Sequence, residues 1–518
     1  MTLGIARTRP TSTSKTLPAP TGGWDTRHAL ASMPSDNAVI LDNFFPETEN
    51  VTLRAGSASH ATGMSGNVET LMEYAPLTGV NELYACNNGS IYEVTDSGAV
   101  SSAVVTGRSN NKFQHTQIGT AGGQFLFACN GADTPQTYNG SAWANSTVSG
   151  PTIANLIWCT THQARIFFGE EDSLSFWYLD TRVINGTALE FALDGIFKRG
   201  GYIMAMGSWT RDGGSGPDDV AVFYSSEGEI AVYSGTDPSS ASTWALVGVF
   251  LHGRPVGRRC ITKVGSSLAL ISENGFQDVA SILSVDRSSS ENVAISKQIN
   301  DAVNGAVRSY GDIFGWQPIL YPRSKMLIFN VPISTTEMHQ YVFNSLTGAP
   351  CRFKGLNALC WGTLGDRIFF GKIDGTVHEF DGTESGGESP TSDDGVAIAG
   401  DAMAAFSYFG SKGSEKAFKL VEPIFMSTGN PSPALDLNVD FTTYAPVGVA
   451  SPLPNSAGQW GVAKWGVSLW GKSNQIFKGW MGVRGHGRSA SLRVRVTTAV
   501  SRPSWISTNY TFVRGGQI

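Results

Sequence analysis

Two clusters of residues in this chain have the types and spacing that recognition chemistry needs. Trp460, Trp465 and Trp470 recur every fifth residue in the run Trp-Gly-Val-Ala-Lys-Trp-Gly-Val-Ser-Leu-Trp-Gly. Large rings of this kind stack on sugars or anchor a protein partner. They also fill cores, but a spacing of five reverses face between neighbours on a strand. At least one of the three therefore points away from a shared core or sits in a loop. Arg484, Arg488, Arg493 and Arg495 form the second cluster. Arg493 and Arg495 alternate with Leu492, Val494 and Val496, which puts both guanidinium groups on one exposed face of a strand. Such a face is either simply solvated or bridges to an acidic protein surface or to DNA phosphate.

Motifs for catalysis are missing from the sequence. It has no Gly-x-Ser-x-Gly elbow, no His-x-x-x-His pair and no phosphate loop. The 8 histidines are scattered, each better read as a surface or hydrogen-bonded side chain than as a ligand. Gly485-His-Gly487-Arg-Ser-Ala490 loosely fits a dinucleotide fingerprint, yet it precedes a strand instead of opening a helix in a βαβ unit. The acidic pairs Glu170-Glu171 and Asp218-Asp219 sit at turns, where solvation explains them. The 6 cysteines contain no Cys-x-x-Cys pair, and Cys86 and Cys129 occupy matching places in Leu-Tyr-Ala-Cys-Asn-Asn-Gly and Leu-Phe-Ala-Cys-Asn-Gly. They read as small buried strand residues of a protein made in a reducing compartment. The expectation is a non-enzymatic protein with no cofactor and no metal.

The elements that position these residues are hairpins. In residues 366–382, Ile368, Phe369 and Phe370 lead into Asp374-Gly375, and Val377 and Phe380 lead out, which is strand, turn, strand. Similar units recur near 82–94, 124–140, 164–180, 219–235, 267–279 and 325–343. Successive units start roughly 40–58 residues apart, the spacing of four-stranded propeller blades with insertions. Closure into a ring removes the sheet edges that so many strands would otherwise present. The predicted fold is all-β: a propeller of about seven blades (six to eight) over 50–383, and a smaller, basic C-terminal antiparallel sheet or sandwich over 402–518. Residues 1–49 read as an extended arm and lead-in segment, and 384–401 as a polar linker. Trp-Asp occurs once, at Trp24-Asp25, and sialidase-type Asp boxes are missing, so neither repeat type accounts for the ring.

Composition fits this reading. The chain has 518 residues and 60 glycines, with only 15 % charged residues. No uninterrupted apolar run is long enough to span a bilayer, and the first twenty residues lack the apolar block of a secretory signal. The net charge of −6 is uneven: residues 412–518 hold 12 Lys/Arg against 4 Asp/Glu, the remainder 25 against 39. An acidic body thus carries a basic C-terminal part, and the body is a poor general binder of nucleic acid.

Several blocks together resemble the tail nozzle (tail tubular or tail hub) proteins of short-tailed bacteriophages. They are Pro18-Ala-Pro-Thr-Gly-Gly-Trp24, Asp42-Asn-Phe-Phe-Pro46, Leu53-Arg-Ala-Gly56, Tyr233-Ser-Gly-Thr-Asp-Pro238, Gly253-Arg-Pro-Val-Gly-Arg-Arg-Cys260 and the hairpin at 366–382. Ala405-Phe-Ser-Tyr-Phe-Gly410, Val483-Arg-Gly-His-Gly-Arg-Ser489 and Gly515-Gly516 complete the series. The resemblance implies a virion tail protein made in the host cytoplasm, with propeller-containing subunits that ring the distal tail, usually as a hexamer. Its implied partners are copies of itself, a connector or adaptor ring, tail fibres or spikes, and genomic DNA that passes without tight binding. It carries over no catalytic residue. The runner-up is a glycan-binding propeller for host attachment, and a third reading is a propeller glycosidase whose carboxylates converge from distant blades.

Overall fold

Strands occupy both arms of every hairpin that the sequence predicts. In the computed structural model, which describes residues 12–210, 219–283, 290–382, 389–447, 450–454 and 474–517, Arg367–Gly371 pairs antiparallel with Val377–Phe380. The turn between them works as its sequence requires: Gly375 takes φ 81°, and Asp374 accepts hydrogen bonds from the Thr376 amide (3.1 Å) and hydroxyl (2.5 Å).

Ahead of each hairpin lies a further strand that the sequence reading leaves out. These are β1 (Val68–Tyr74), β2 (Gln114–Thr120), β3 (Leu156–His162) and β4 (Ile203–Thr210). They continue with β5 (Ile261–Val264), β6 (Gln317–Tyr321) and β7 (Cys360–Leu364). Each pairs antiparallel with the first arm of the hairpin that follows it.

The chain divides into two compact units, one of residues 57–341 and 354–384, the other of 1–56, 342–353 and 385–518. The first unit contains β1–β7 and is propeller-like. Its successive sheets pack face to face through apolar seams. Tyr74, Tyr84, Leu126 and Tyr138 join the sheets of β1 and β2. Phe127, Cys159 and Phe168 join those of β2 and β3, and Phe167, Phe176, Phe223 and Trp244 those of β3 and β4. Leu71, Leu83, Cys360 and Phe369 return from β7 to β1. The strand Ser57–Thr62 pairs with Val377–Phe380, so the unit's N-terminal strand completes the sheet built from its C-terminal ones.

The number of free-standing sheets differs from the sequence expectation of about seven. Among the described residues, five sheets of three or four strands stand alone, whereas the strands around β6 and β7 belong to a 15-stranded sheet. The spacing of hairpins counts repeats, but it carries no information about which outer edges go on to pair. A helix, Asn300–Tyr310, is also new, because only Asn300, Val303 and Ala306 are buried, too few to mark a helical period. No helix among the described residues is long and apolar enough to cross a membrane.

The second unit is a β structure built from both ends of the chain. Ser504–Gln517 pairs with Ser414–Ser427 and also with Ser12–Pro18, in the register Ser12↔Val513 to Pro18↔Ser507. These strands lie in a seven-stranded sheet. Ala490–Thr498 lies between Ala434–Val439 and Val396–Ala404, and the latter pairs on with Asn37–Asp42. Phe409, Phe418, Tyr510 and Phe512 form an aromatic core with ring centroids 5.0–5.6 Å apart. The described part of the arm therefore supplies paired strands to this unit, Ser12–Pro18 and Asn37–Asp42 among them. The linker expected over 384–401 gives way to strand at Val396, because Ile398, Gly400 and Ala402 are buried on one face at the spacing of two that a strand needs.

Candidate functional site

Some of the residues singled out by the resemblance come together as ties within the second unit. Arg352 makes a bidentate pair with Asp42 (2.7 and 3.0 Å), and its guanidinium lies 4.8 Å from the Trp24 ring centroid. Arg54, 1 % exposed, donates to Asn43 (3.0 Å), to the Ala55 carbonyl (2.9 Å) and to both carboxylate oxygens of Asp393 (2.9 and 2.5 Å). A buried guanidinium needs such acceptors, since an unpaired charge there would be costly.

Of the basic cluster, the structure joins two members and leaves two on the surface. Arg493 donates to both oxygens of Asp401 (2.8 and 2.7 Å) and to the Thr443 carbonyl (2.9 Å), and Arg495 reaches the same carboxylate at 2.7 Å. The expected exposed arginine face is corrected at Arg493, which is only 8 % exposed, whereas Arg495 stays exposed. The two arginines do share a face, and Asp401 on the adjacent strand, in register with Arg495, draws both guanidinium groups to it. Burial alone would raise the Asp401 carboxyl, yet the bonds from Arg493 and Arg495 outweigh it and hold the group below its usual range. Arg484 and Arg488 are exposed; the Arg488 amide donates to Asp440 (2.9 Å), and its carbonyl accepts from the buried Lys416 (2.8 Å). Trp460, Trp465 and Trp470 lie outside the described residues.

The first unit contains a site that the sequence reading missed. A cavity of about 760 Å³ is lined by β1–β7, all seven contributing residues. Neighbouring strands clasp one another around it through polar side chains. Gln117 on β2 accepts from the Ala75 amide (3.0 Å) just beyond β1, and Thr116 bonds Thr161 on β3 (2.8 Å). Thr160 donates to the Met206 carbonyl on β4 (3.1 Å), Gln317 on β6 to that of Trp361 on β7 (2.9 Å), and Thr363 to Glu73 on β1 (2.8 Å).

One mouth of the cavity is crossed by a side chain. Arg259, in the lead-in to β5, reaches over to the Glu69 carbonyl (2.8 Å), the Thr70 hydroxyl (2.6 Å) and the Phe113 carbonyl (2.9 Å), at the starts of β1 and β2. Its guanidinium lies 5.0 Å from the Phe314 ring centroid, and the Lys112 ammonium lies 4.8 Å from the same ring. Neighbouring Arg258 turns outward to Glu171 (2.7 Å). Glu73, the carboxylate among the lining residues, is held by Asn81 (2.7 Å), Thr363 (2.8 Å) and the Gly365 amide (2.8 Å). His115 lines the wall, its side chain open to the cavity. The enclosing wall, and then the Arg259 charge, push its imidazole below the ordinary value. Arg258 and Arg259 belong to the Gly253–Cys260 block of the resemblance. The available signal was an Arg-Arg-Cys run directly before a strand.

No protein-family model matches the chain, and no curated protein matches it. Among solved structures, the BBS1N chain from a crystal structure of BBS1N in complex with ARL6DN is similar at 12 % identity. That match covers 66 % of this chain and 100 % of BBS1N, with a TM-score of 0.40. The computationally designed Ika8 protein is similar at 12 % identity, over 63 % of this chain and 99 % of its own, with a TM-score of 0.35. Neither likeness carries an argument about this chain.

Proposed function

We propose that this chain is a virion structural protein that assembles with copies of itself into the ring-shaped nozzle at the distal tail of a short-tailed bacteriophage. The observation that carries this reading is the run of resembling blocks along most of the chain, together with their place in the fold. Trp24, Asp42, Asn43, Arg54 and Arg259 are all tie residues, the kind of position that a shared scaffold retains for geometry. The ring we infer has seven positions, one for each strand around the cavity, and a hexamer of such subunits sits below a connector or adaptor ring and docks fibres or spikes.

The cavity geometry constrains how such a nozzle passes DNA. Arg259 spans the mouth from β5 to β1 and β2, so a duplex does not thread the ring of a single subunit. The conduit therefore lies on the axis between copies. An acidic majority of the chain and arginines already committed to Asp401 favour passage without tight phosphate binding. The glycosidase alternative calls for a pair of carboxylates at one mouth, whereas Glu73 lines the cavity with its oxygens already held by three donors. The lectin alternative calls for sugar pockets repeated from sheet to sheet.

Particles made without this gene separate the three. Loss of the tail tip with leakage of DNA is the expected result. Intact particles that fail to adsorb would replace the nozzle reading with the lectin one, and intact particles that lose depolymerisation would replace it with the enzyme.

A further inference from the structure

One outer strand of the first unit lacks the protection that the others have. Among the described residues, the outer strands of the other free-standing sheets are Ser90–Glu93, Trp143–Asn145, Leu189–Ala192 and Gly275–Asp278, each of three or four residues. Trp244–Leu251 has 8, none charged and none proline, and among the described residues it pairs on one side only, with Glu229–Gly235. It exposes Leu246 (42 %), Val247 (48 %) and Val249 (40 %). Proteins shorten, charge or cover such an edge, because its unpaired amides and carbonyls accept a further strand. We propose that this edge is covered by residues 1–11 of a second copy of the chain, added as an antiparallel strand. The contact concerns how copies join and does not rest on the tail reading.

A receptor for such a strand lies beside the edge. A groove of about 410 Å³ is lined by Leu246, Val249 and Leu251 of the strand and by Ile196 and Lys198. Glu229 fixes the second wall, accepting hydrogen bonds from the Lys198 amide (3.0 Å) and the Arg199 amide (2.9 Å). A bulge sets Val247 out of register, but from Gly248 to Leu251 the pairing is regular, and this is the stretch that can extend the sheet.

Residues 1–11 lie outside the described residues, directly before the paired strand Ser12–Pro18, and their sequence suits the groove. Met1, Leu3 and Ile5 alternate with Thr2, Gly4 and Ala6, so an extended chain turns its large apolar groups to one face. At about 3.3 Å per residue the segment reaches about 36 Å, against about 26 Å for the edge. Charge sets its direction. Leu251 pairs with Glu229, beside Lys198 and Arg199, so that end would repel Arg7 and Arg9. At the other end Trp244 pairs with Gly235, and Asp237 just beyond shares the guanidinium of Arg165 (3.5 Å) with Asp180 (3.3 Å). Two carboxylates on one arginine leave negative charge there, and an antiparallel strand brings Arg7 and Arg9 to it. Leu3 and Ile5 then oppose Leu251 and Val249 in the groove, and Pro10 ends the pairing.

The test uses the full chain, the chain without residues 1–11 and a labelled peptide of residues 1–11. The peptide should bind the shortened chain saturably in fluorescence anisotropy. Val249→Lys should weaken that binding about tenfold, and added salt should weaken it by screening the arginines. A peptide with Leu3 and Gly4 exchanged, which breaks the alternation, should bind as weakly. Val249 is exposed, so circular dichroism should show the variant folded. In sedimentation the full chain should self-associate, and removal of residues 1–11 or Val249→Lys should lower that association. Mixing the shortened chain with full-length Val249→Lys should restore it, because one provides the edge and the other the arm. Failure of the peptide to bind would overturn the proposal, as would binding that both Val249→Lys and the exchange leave unchanged. Peptide binding beside a full chain whose association neither change lowers would overturn the assignment to a second copy, since the arm then covers the edge of its own chain.

Discussion

Arg493→Ala tests whether the basic strand is an internal tie or a docking surface. The change removes two of the three arginine bonds to Asp401 and leaves that carboxylate, whose side chain is 15 % exposed, bonded to Arg495 alone. Breaking one partner out of a buried pair costs about 3–5 kcal/mol. Arg495 remains on the carboxylate, so the lower end of that range, about 3 kcal/mol, is expected. Arg495→Ala removes a contact whose side chain is 44 % exposed and should cost about 0–1 kcal/mol. Because the chain has two units, the loss is best read locally, by hydrogen exchange of the Ala490–Thr498 amides. The pair also predicts a pH dependence. The Asp401 carboxyl is depressed in the folded protein, so its contribution is complete above the unfolded value of about 3.9 and is lost as pH falls through the folded value. The wild type should therefore lose protection in these amides on acidification, and Arg493→Ala should lose less. Equal costs for the two alanine variants, or an unchanged acid slope, would refute the reasoning.

Four further outcomes follow from the same structure. Gly371→Ala would place a methyl 2.5 Å from Val68 Cγ1 and 2.7 Å from the Val68 carbonyl at the β7–β1 seam, for about 1–3 kcal/mol of destabilisation in urea. Gly305→Ala, in open space on the helix Asn300–Tyr310, should instead stabilise by about 0.5–1 kcal/mol. All six thiols are buried, and burial pushes Cys260 and Cys360 up to about 12, so a thiol reagent at about pH 8 should label none until the chain unfolds. Arg484→Glu with Arg488→Glu should leave stability within about 0.5 kcal/mol; under the proposed nozzle role it should also lower particle assembly, and undiminished assembly would remove these two residues from the proposed docking surface.

What the sequence made legible, and what it did not, follows from solvent exposure. The hairpin arms are read easily because both of their faces are apolar. Charged residues rarely interrupt them, and Ile368, Phe369 and Phe370 are all buried in consecutive positions. The inner strands β1–β7 were harder to read because one side of each meets the cavity's water. β2 reads Gln-His-Thr-Gln-Ile-Gly-Thr, with only Ile118 buried, so it offers no apolar run to find. Cys86 and Cys129 were legible as buried strand residues from their matching repeats, and both are. Arg493 was misread because alternation along one strand says which residues share a face, but not what the adjacent strand lays over it. Arg259 was missed because its partners are backbone oxygens of Glu69 and Phe113 and the Thr70 hydroxyl. They lie 146 to 190 residues away in sequence and leave no motif.

The polar side chains that the inner strands place among the cavity's lining also bear on why it stays open. Had the lining of β1–β7 been apolar throughout, the hydrophobic effect would favour collapse of the ring onto its own axis. Threonine and glutamine instead satisfy their hydrogen bonds sideways, from strand to strand, as in Gln117 with Ala75, Thr116 with Thr161 and Gln317 with Trp361. The apolar packing is displaced outward to the seams between sheets, where Phe127 and Phe168 meet at 5.0 Å and Phe176 and Phe223 at 4.4 Å. Such a ring is held by its seams and spaced by its clasps. A side chain that crosses the open axis must then be fixed from both ends, as Arg259 is, by the backbone leading into β5 and by acceptors at the starts of β1 and β2.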